Sequence, residues 1–483
     1  MLKKLNRTTA DKPQKYPVRI LQFGEGNFLR AFADWMIDIA NEKTGFSGAV
    51  QIVQPIAQGS GQKLNEQDGL YHVVLNGIRN GKPVKEIRLI TCVEGVINPF
   101  EDYAAYLKAG ENPDLEFVIS NTTEAGITFN ANDSDPNALA ESFPAKLTAL
   151  LYHRYIFFKG DSSKALTVMP CELIEKNGET LRNIILQYIS HWNLGESFEA
   201  WITRHTLFCN TLVDRIVPGF PKDTAMEIWN ETGYEDNLVV TGEPFHLWVI
   251  EPKLTSEMSL EALRQSFPAE KAGLQVKFVE DLAPYRTRKV RILNGAHTAM
   301  VPVGYLRNLR TVREVIEDPF TGDFIRKTLE EEIIPTLDLS KEELQQFADD
   351  VIERFKNPFI RHELMSIALN SISKYQVRVL PSVLEYIKRT GKLPERLLYS
   401  LAALILFYKG EWNGEVIPLN DTSPVLAFFK KAWSLEVPGA VIEQVLTNQE
   451  LWNIDLTSIK GLTAEVEKQL KGIQELKNDR VTP

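Results

Sequence analysis

Cysteine is scarce in this sequence: three residues in 483, Cys92, Cys171 and Cys209. None forms a CxxC pair, so neither a zinc finger nor a disulfide framework is supported, and no metal site is expected. So few thiols suit a reducing cytoplasm, and the three read as small core residues rather than nucleophiles. Positive charge is not in excess either. The net charge is −10 and no basic stripe runs along the chain, which argues against a nucleic-acid partner. The basic start, from Lys3-Lys4 through Arg7 to Lys15, reads as a solvated tail and lacks the apolar stretch of a secretory signal. Long hydrophobic runs are missing. The most apolar one, Leu397–Tyr408, falls far short of the roughly 20 residues that cross a bilayer. It reads as a buried helix, and no membrane partner is expected. Repeats, low-complexity blocks and long Gly/Ser linkers are absent.

What is there suits a large globular chain. With 44% hydrophobic and 24% charged residues, a sizeable core is available, and about two large domains are expected at this length. The first half alternates strand-like runs with helical stretches. Val18–Phe23, Ala49–Gln54, Leu115–Ser120 and Ala165–Pro170 read as strands, and Asn27–Asn41 as a helix, which argues for a parallel sheet covered by helices. After about residue 280 strand-like runs nearly vanish. Helix-length segments follow one another: Lys289–Tyr305, Pro319–Ile334, Lys341–Phe355, Phe359–Tyr375, Pro381–Thr390 and Leu397–Tyr408. The expected fold is α/β plus all-α: a Rossmann-like dinucleotide-binding domain over 1–280 and a mostly helical substrate domain over 281–483.

Directly after the first strand comes Gly24-Glu25-Gly26-Asn27-Phe28-Leu29-Arg30. The first glycine permits a tight turn, and the second lets a pyrophosphate approach the free N–H groups of a helix start. The third glycine of the full GxGxxG pattern is missing, and a plain β-turn has the same spacing. Position in a strand–turn–helix unit favours the dinucleotide reading. The second strand ends Val53-Gln54-Pro55, without the acid that often holds the ribose. Gln54 can still hydrogen-bond a ribose hydroxyl, and this position does not decide between NAD and NADP.

The segment from Arg288 to Thr298 carries most chemistry. On an α-helix with Lys289 at zero, Asn294 falls near 140° and His297 near 80°. The three share one broad face. A half-buried lysine can work as a general base, an asparagine amide can donate to an alkoxide, and a histidine can orient a hydroxyl. The same residues would also suit a solvated lysine beside a satisfied histidine. Gly295 inside a helix costs about 1 kcal/mol relative to alanine and suggests close approach of a neighbour.

These residues resemble the mannitol dehydrogenase family of long-chain, metal-independent polyol and sugar-acid dehydrogenases. The family's Lys-x4-Asn-x2-His pattern matches Lys289, Asn294 and His297. Asn210-Thr211-Leu212-Val213-Asp214-Arg215-Ile216 is similar to its Asn-x2-Val-Asp-Arg-Ile signature. The glycine turn, Thr123-Glu124-x-Gly126 and Glu243-Pro244-Phe245 are family-like as well. The resemblance covers nearly the whole chain.

It implies that Lys289 is the general acid/base, that Asn294 and Asn210 form an oxyanion hole, and that His297 contacts the substrate hydroxyl. Gly24, Gly26, Asn27, Phe28, Arg30, Gln54, Thr123 and Glu124 would face NAD. The wording QFGEGNFLRAF, SNTTEAGI, PCELI and ILNGAHTA points to sugar-acid members, and the implied reaction interconverts D-tagaturonate and D-altronate. Fructuronate or polyol reduction is the alternative within the family. A dinucleotide sensor without catalysis is the alternative outside it. One departure matters. Polyol members carry an arginine eight residues before a lysine; Lys374 matches the lysine, but Ser366 stands at the arginine position. A substrate carboxylate needs a cation, and Lys374, Arg215, Arg361 and Arg378 are the candidates. The oligomeric state is not legible.

Overall fold

The computed structural model describes residues 2–13, 16–253, 259–435 and 437–479, excepting the side chains of 124 and 476–479. The chain divides into two compact units, Met1–Asn76 with Pro83–Leu282, and Gly77–Lys82 with Ala283–Pro483.

The first unit is built on eight strands: β1 (Val18–Phe23), β2 (Ala49–Val53), β3 (Val93–Ile97), β4 (Phe117–Ser120), β5 (Thr167–Pro170), β6 (Leu207–Asp214), β7 (Leu247–Pro252) and β8 (Val276–Phe278). Their order is β3-β2-β1-β4-β5-β6-β7-β8. Strands β1 to β6 pair in parallel, in the doubly wound Rossmann order. β7 then runs antiparallel to β6, and β8 parallel to β7. Alternate residues feed two cores. Ile20, Ile52, Phe117 and Ile119 lie in one, and Leu21, Phe23, Val53 and Val118 in the other. A parallel sheet buried on both faces demands apolar residues at consecutive positions, which is why these strands read clearly.

Two sequence expectations for this unit need correction, and one element was not expected. The basic start is not a solvated tail. Lys3–Lys4 pairs in parallel with Tyr234–Glu235, Leu5 is buried, and Arg7 Nη2 donates to Thr91 O and Val93 O. Lys15 lies outside the described residues. The helix expected over Asn27–Asn41 is two, α1 (Asn27–Ala31) and α2 (Ala33–Thr44), separated at Phe32, where ψ is −78°. A hairpin went unread: Tyr71–Arg79 and Lys82–Ile90 form a second sheet with Val240–Gly242. Its turn residues Asn80 and Gly81 both have positive φ, the conformation that Asn-Gly supplies in tight hairpins.

The second unit is mostly helical. α3 (Ala283–Arg288) leads into a π-helical segment, Lys289–Asn294, and then α4 (Gly295–Leu306). The expected helix Phe359–Tyr375 is broken: Leu364–Ile367 ends before Asn370, whose φ is 51°, and α5 (Ser371–Arg378) follows. The apolar run forms α6 (Glu395–Phe407), with Leu397, Leu401, Leu404 and Ile405 fully buried. Among the described residues no helix is long and apolar enough to cross a membrane.

Candidate active site

In the first unit, β1 delivers the chain into Gly24 at φ +118°. A Cβ there would stand 3.0 Å from Asn121 O, beyond β4. That is the point where strand order reverses, the usual place for a ligand in such sheets. Gly26 has open space where a side chain would be, and Gly26 and Asn27 are exposed. A cavity of about 900 Å³ opens beside them, with Arg30, Ser60 and Lys63 also on its wall. Phe28 packs instead against the core and stacks on Phe32.

Two expected cofactor contacts are also tied into the scaffold. Arg30 is buried, and its guanidinium donates to Glu25 O, Leu238 O and Asn27 Oδ1. Gln54 is 3% exposed. Its amide donates to Ile56 O and Ala57 O and accepts from Gly61 N, so it shapes the 56–61 loop and has no donor left for a ribose. Ser60 and Lys63, carried by that loop and its helix, were not singled out in the sequence; the Gly59-Ser60-Gly61 spacing was the available signal.

Past β4 the backbone is strained. Thr123 has φ +76°, an outlier for a β-branched residue that costs about 1–3 kcal/mol and favours functional sites. Buried Glu172 anchors the approach. It accepts from Ser120 Oγ, Thr122 N and Thr122 Oγ1, while burial pushes its carboxyl up. The side chain of Glu124 lies outside the described residues. On β6, Asn210 is buried; its Oδ1 accepts from Glu179 N and its Nδ2 donates to Glu179 Oε1 at 3.3 Å. Gly178 lets this helix start approach, since a Cβ would stand 2.3 Å from Cys209 O.

In the second unit the informative departure is the π segment. On an α-helix Lys289 and Asn294 share one broad face at about 140° from each other. A π turn bonds i to i+5, and Lys289 and Asn294 are five apart, the first and last residues of the segment. Both are half-buried. One turn on, the His297 ring lies 4.4 Å from Phe355 and 5.0 Å from His362, edge-on. Burial pushes His362 down, toward the neutral form. His362 was missed in the sequence because nothing local marks it. Gly295 has its reason: a Cβ would stand 3.3 Å from Arg378 O.

The four candidate carboxylate partners separate. Arg215 is buried, donates to Phe245 O, Ala31 O and Pro244 O, and lies over Trp35 at 4.1 Å. It is a structural residue, and its expected substrate role falls. Arg361 is 81% exposed and paired with Glu363, too loosely held to orient a ligand. Lys374 and Arg378 remain, one turn apart on α5. Lys374 Nζ donates to Ile367 O, and burial, with Arg378 second, pushes its amine down. Burial lowers Arg378 as well, and no hydrogen bond from its guanidinium is found among the described residues. Ser366 is exposed and donates to Glu363 O.

Residues 18–262 match the family model described as the mannitol dehydrogenase Rossmann domain, and residues 281–474 the mannitol dehydrogenase C-terminal domain. An altronate oxidoreductase of Bacillus subtilis (strain 168) is 48% identical over 98% of this chain and 96% of its own. One from Phocaeicola vulgatus is 47% identical over 98% of both. Among solved structures, a substrate-free D-sorbitol dehydrogenase superposes with a TM-score of 0.81 at 24% identity, covering 99% of this chain and 100% of that one. A Pseudomonas fluorescens mannitol 2-dehydrogenase, in ternary complex with NAD and D-mannitol, does so at 0.63 and 22%, with the same coverage.

Proposed function

The chain belongs to the mannitol dehydrogenase family, and on that premise we propose that it interconverts D-altronate and D-tagaturonate by hydride transfer with NAD(H). The substrate follows the relatives named altronate oxidoreductase, which match it over nearly their full length. The observation that carries the chemistry is the π segment, with Lys289 and Asn294 at its two ends.

The first unit fits a dinucleotide. No side chain stands at Gly24 or Gly26, the Gly26–Asn27 backbone is exposed, and the cavity beside it is large enough. Gly24, Gly26, Asn27 and the strained Thr123 turn would hold it, with Ser60 and Lys63 at its edge. Bound there, the cofactor supplies or accepts the hydride. Lys289 Nζ protonates the oxygen that becomes the hydroxyl in reduction and takes that proton back in oxidation. The Asn294 amide donates to the same oxygen as negative charge develops, and Asn210 is the second amide on the strength of its motif. His297, held against Phe355 and His362, orients an adjacent hydroxyl. Lys374 and Arg378 receive the carboxylate, the feature that separates a sugar acid from a polyol. The three buried free thiols suit a reducing cytoplasm, where we place the reaction.

The test is Lys289→Ala. Turnover is expected to fall about 10²–10⁴-fold while NADH affinity, followed by fluorescence titration, stays within about twofold of wild type. Near-normal turnover in that variant overturns the assignment.

A further inference from the structure

The second unit holds a cavity that the proposed reaction leaves unused. Its volume is about 450 Å³, within the range of small-molecule sites. It lies at the far end of α4 and is bordered by the hairpin of Glu411–Trp412 and Glu415–Val416. None of its lining residues belongs to the π segment or to His297. Thirteen helical steps separate Asn294 from Arg307 and span about 20 Å.

Two arginines face this space. Arg307 packs over Phe320 at 4.1 Å. Its Nε is buried without a hydrogen-bond partner, and its guanidinium makes no hydrogen bond or ion pair among the described residues. Asp318 feels its charge only at longer range. A guanidinium with no protein acceptor is destabilising where it is part-buried, so Arg307 is left to an acceptor the protein does not supply. Arg310 lies over Tyr305 at 4.4 Å. It reaches Tyr305 O and Leu309 O at 3.4 and 3.1 Å, and Glu415 only at 3.5 Å. Among the described residues Glu415 is the one acid on the wall, against two guanidinium groups. Trp412, fixed by its Nε1 donating to Leu306 O, and Tyr399 supply aromatic walls.

We propose that this cavity binds a small organic anion: a carboxylate or phosphate on a sugar-sized carbon skeleton. Arg307 and Arg310 hold the charged group through their planar forks, and Trp412 and Tyr399 cover the skeleton. The inference stands independently of the reaction proposed above.

The full chain is titrated calorimetrically with D-glucose 6-phosphate, D-gluconate and neutral D-glucose, in wild type, R307Q and R310Q. The expected result is saturable binding of at least one of the two anions, none of glucose, and affinity at least tenfold weaker in both variants. Whichever anion binds distinguishes phosphate from carboxylate. Should R307Q fail to fold, R310Q alone decides. Turnover is expected within about twofold of wild type in either folded variant. Absence of saturable anion binding, equal binding of glucose, unchanged affinity in the variants, or a parallel loss of turnover each overturns the proposal.

Discussion

Lys374 and Arg378 stand one turn apart on α5, half-buried, and burial lowers the ionisation range of both. An anion placed between them would favour the charged forms that burial disfavours, which suits the pair to the proposed role of receiving the substrate's carboxylate. Arg215 is as basic in the sequence, but its donors are spent on three carbonyls. Those carbonyls belong to Ala31, Pro244 and Phe245, distant positions that no local pattern links to residue 215. The two arginines therefore fail differently when changed. Arg378→Gln raises KM for the keto acid about 10–100-fold, as loss of a charged hydrogen bond of about 1.5–3 kcal/mol requires, with a smaller change in kcat. Arg215→Gln lowers the denaturation midpoint and leaves KM nearly unchanged. Steady-state kinetics beside urea melts check both; an Arg378→Gln enzyme with wild-type KM removes that residue from the site.

Among the elements, those whose burial pattern is local were legible and those set by tertiary fit were not. Strands β1, β2, β4 and β5 announce themselves because both faces are buried and apolar residues run consecutively. Lys341–Phe355 matched to the residue, since its serine cap and spaced apolar positions are local signals. The split at Phe32 and the break at Asn370 arise from packing and backbone choice that periodicity does not encode. The π segment is the sharpest case: side-chain type does not specify an i to i+5 bond, so Lys289 and Asn294 were recognisable as residues on one face, while the turn that joins them reads as α in the sequence and is π in the fold. The glycine turn was legible because steric need writes itself as glycine. Gly24→Ala forces a side chain onto φ +118° and against Asn121 O. A stability loss of about 1–3 kcal/mol is expected, with NADH affinity down at least about tenfold. Calorimetry with NADH that shows wild-type affinity would detach this turn from the cofactor.

At the scale of the molecule, several carboxyls are buried inside the fold, and they set how stability responds to pH. Asp34 is the clearest. Burial pushes it up to about 7 from an ordinary 3.8, against the opposing hydrogen bonds of Tyr71 and Gln22. Burial raises Glu25, Glu172 and Glu332 in the same direction. A carboxyl that holds its proton more tightly folded than unfolded contributes fully below its unfolded value. That contribution is lost as pH climbs through the folded one. Asp34 alone therefore makes stability fall between about pH 4 and 7. Asp34→Asn keeps an acceptor for the Tyr71 hydroxyl and removes the titration. Urea melts at pH 5 and 8 should show a shallower decline in this variant, and an unchanged slope would remove Asp34 as its source.

The whole enzyme also carries the most direct test of the proposed reaction, the spectrophotometric rate of NADH oxidation with D-tagaturonate, D-fructuronate and D-fructose, repeated with NADPH. The account predicts fastest turnover with D-tagaturonate and NADH, and D-fructose poorer by about tenfold or more because it leaves Lys374 and Arg378 without a carboxylate. Equal or faster turnover of D-fructose, or no NADH oxidation with any of the three, would contradict it.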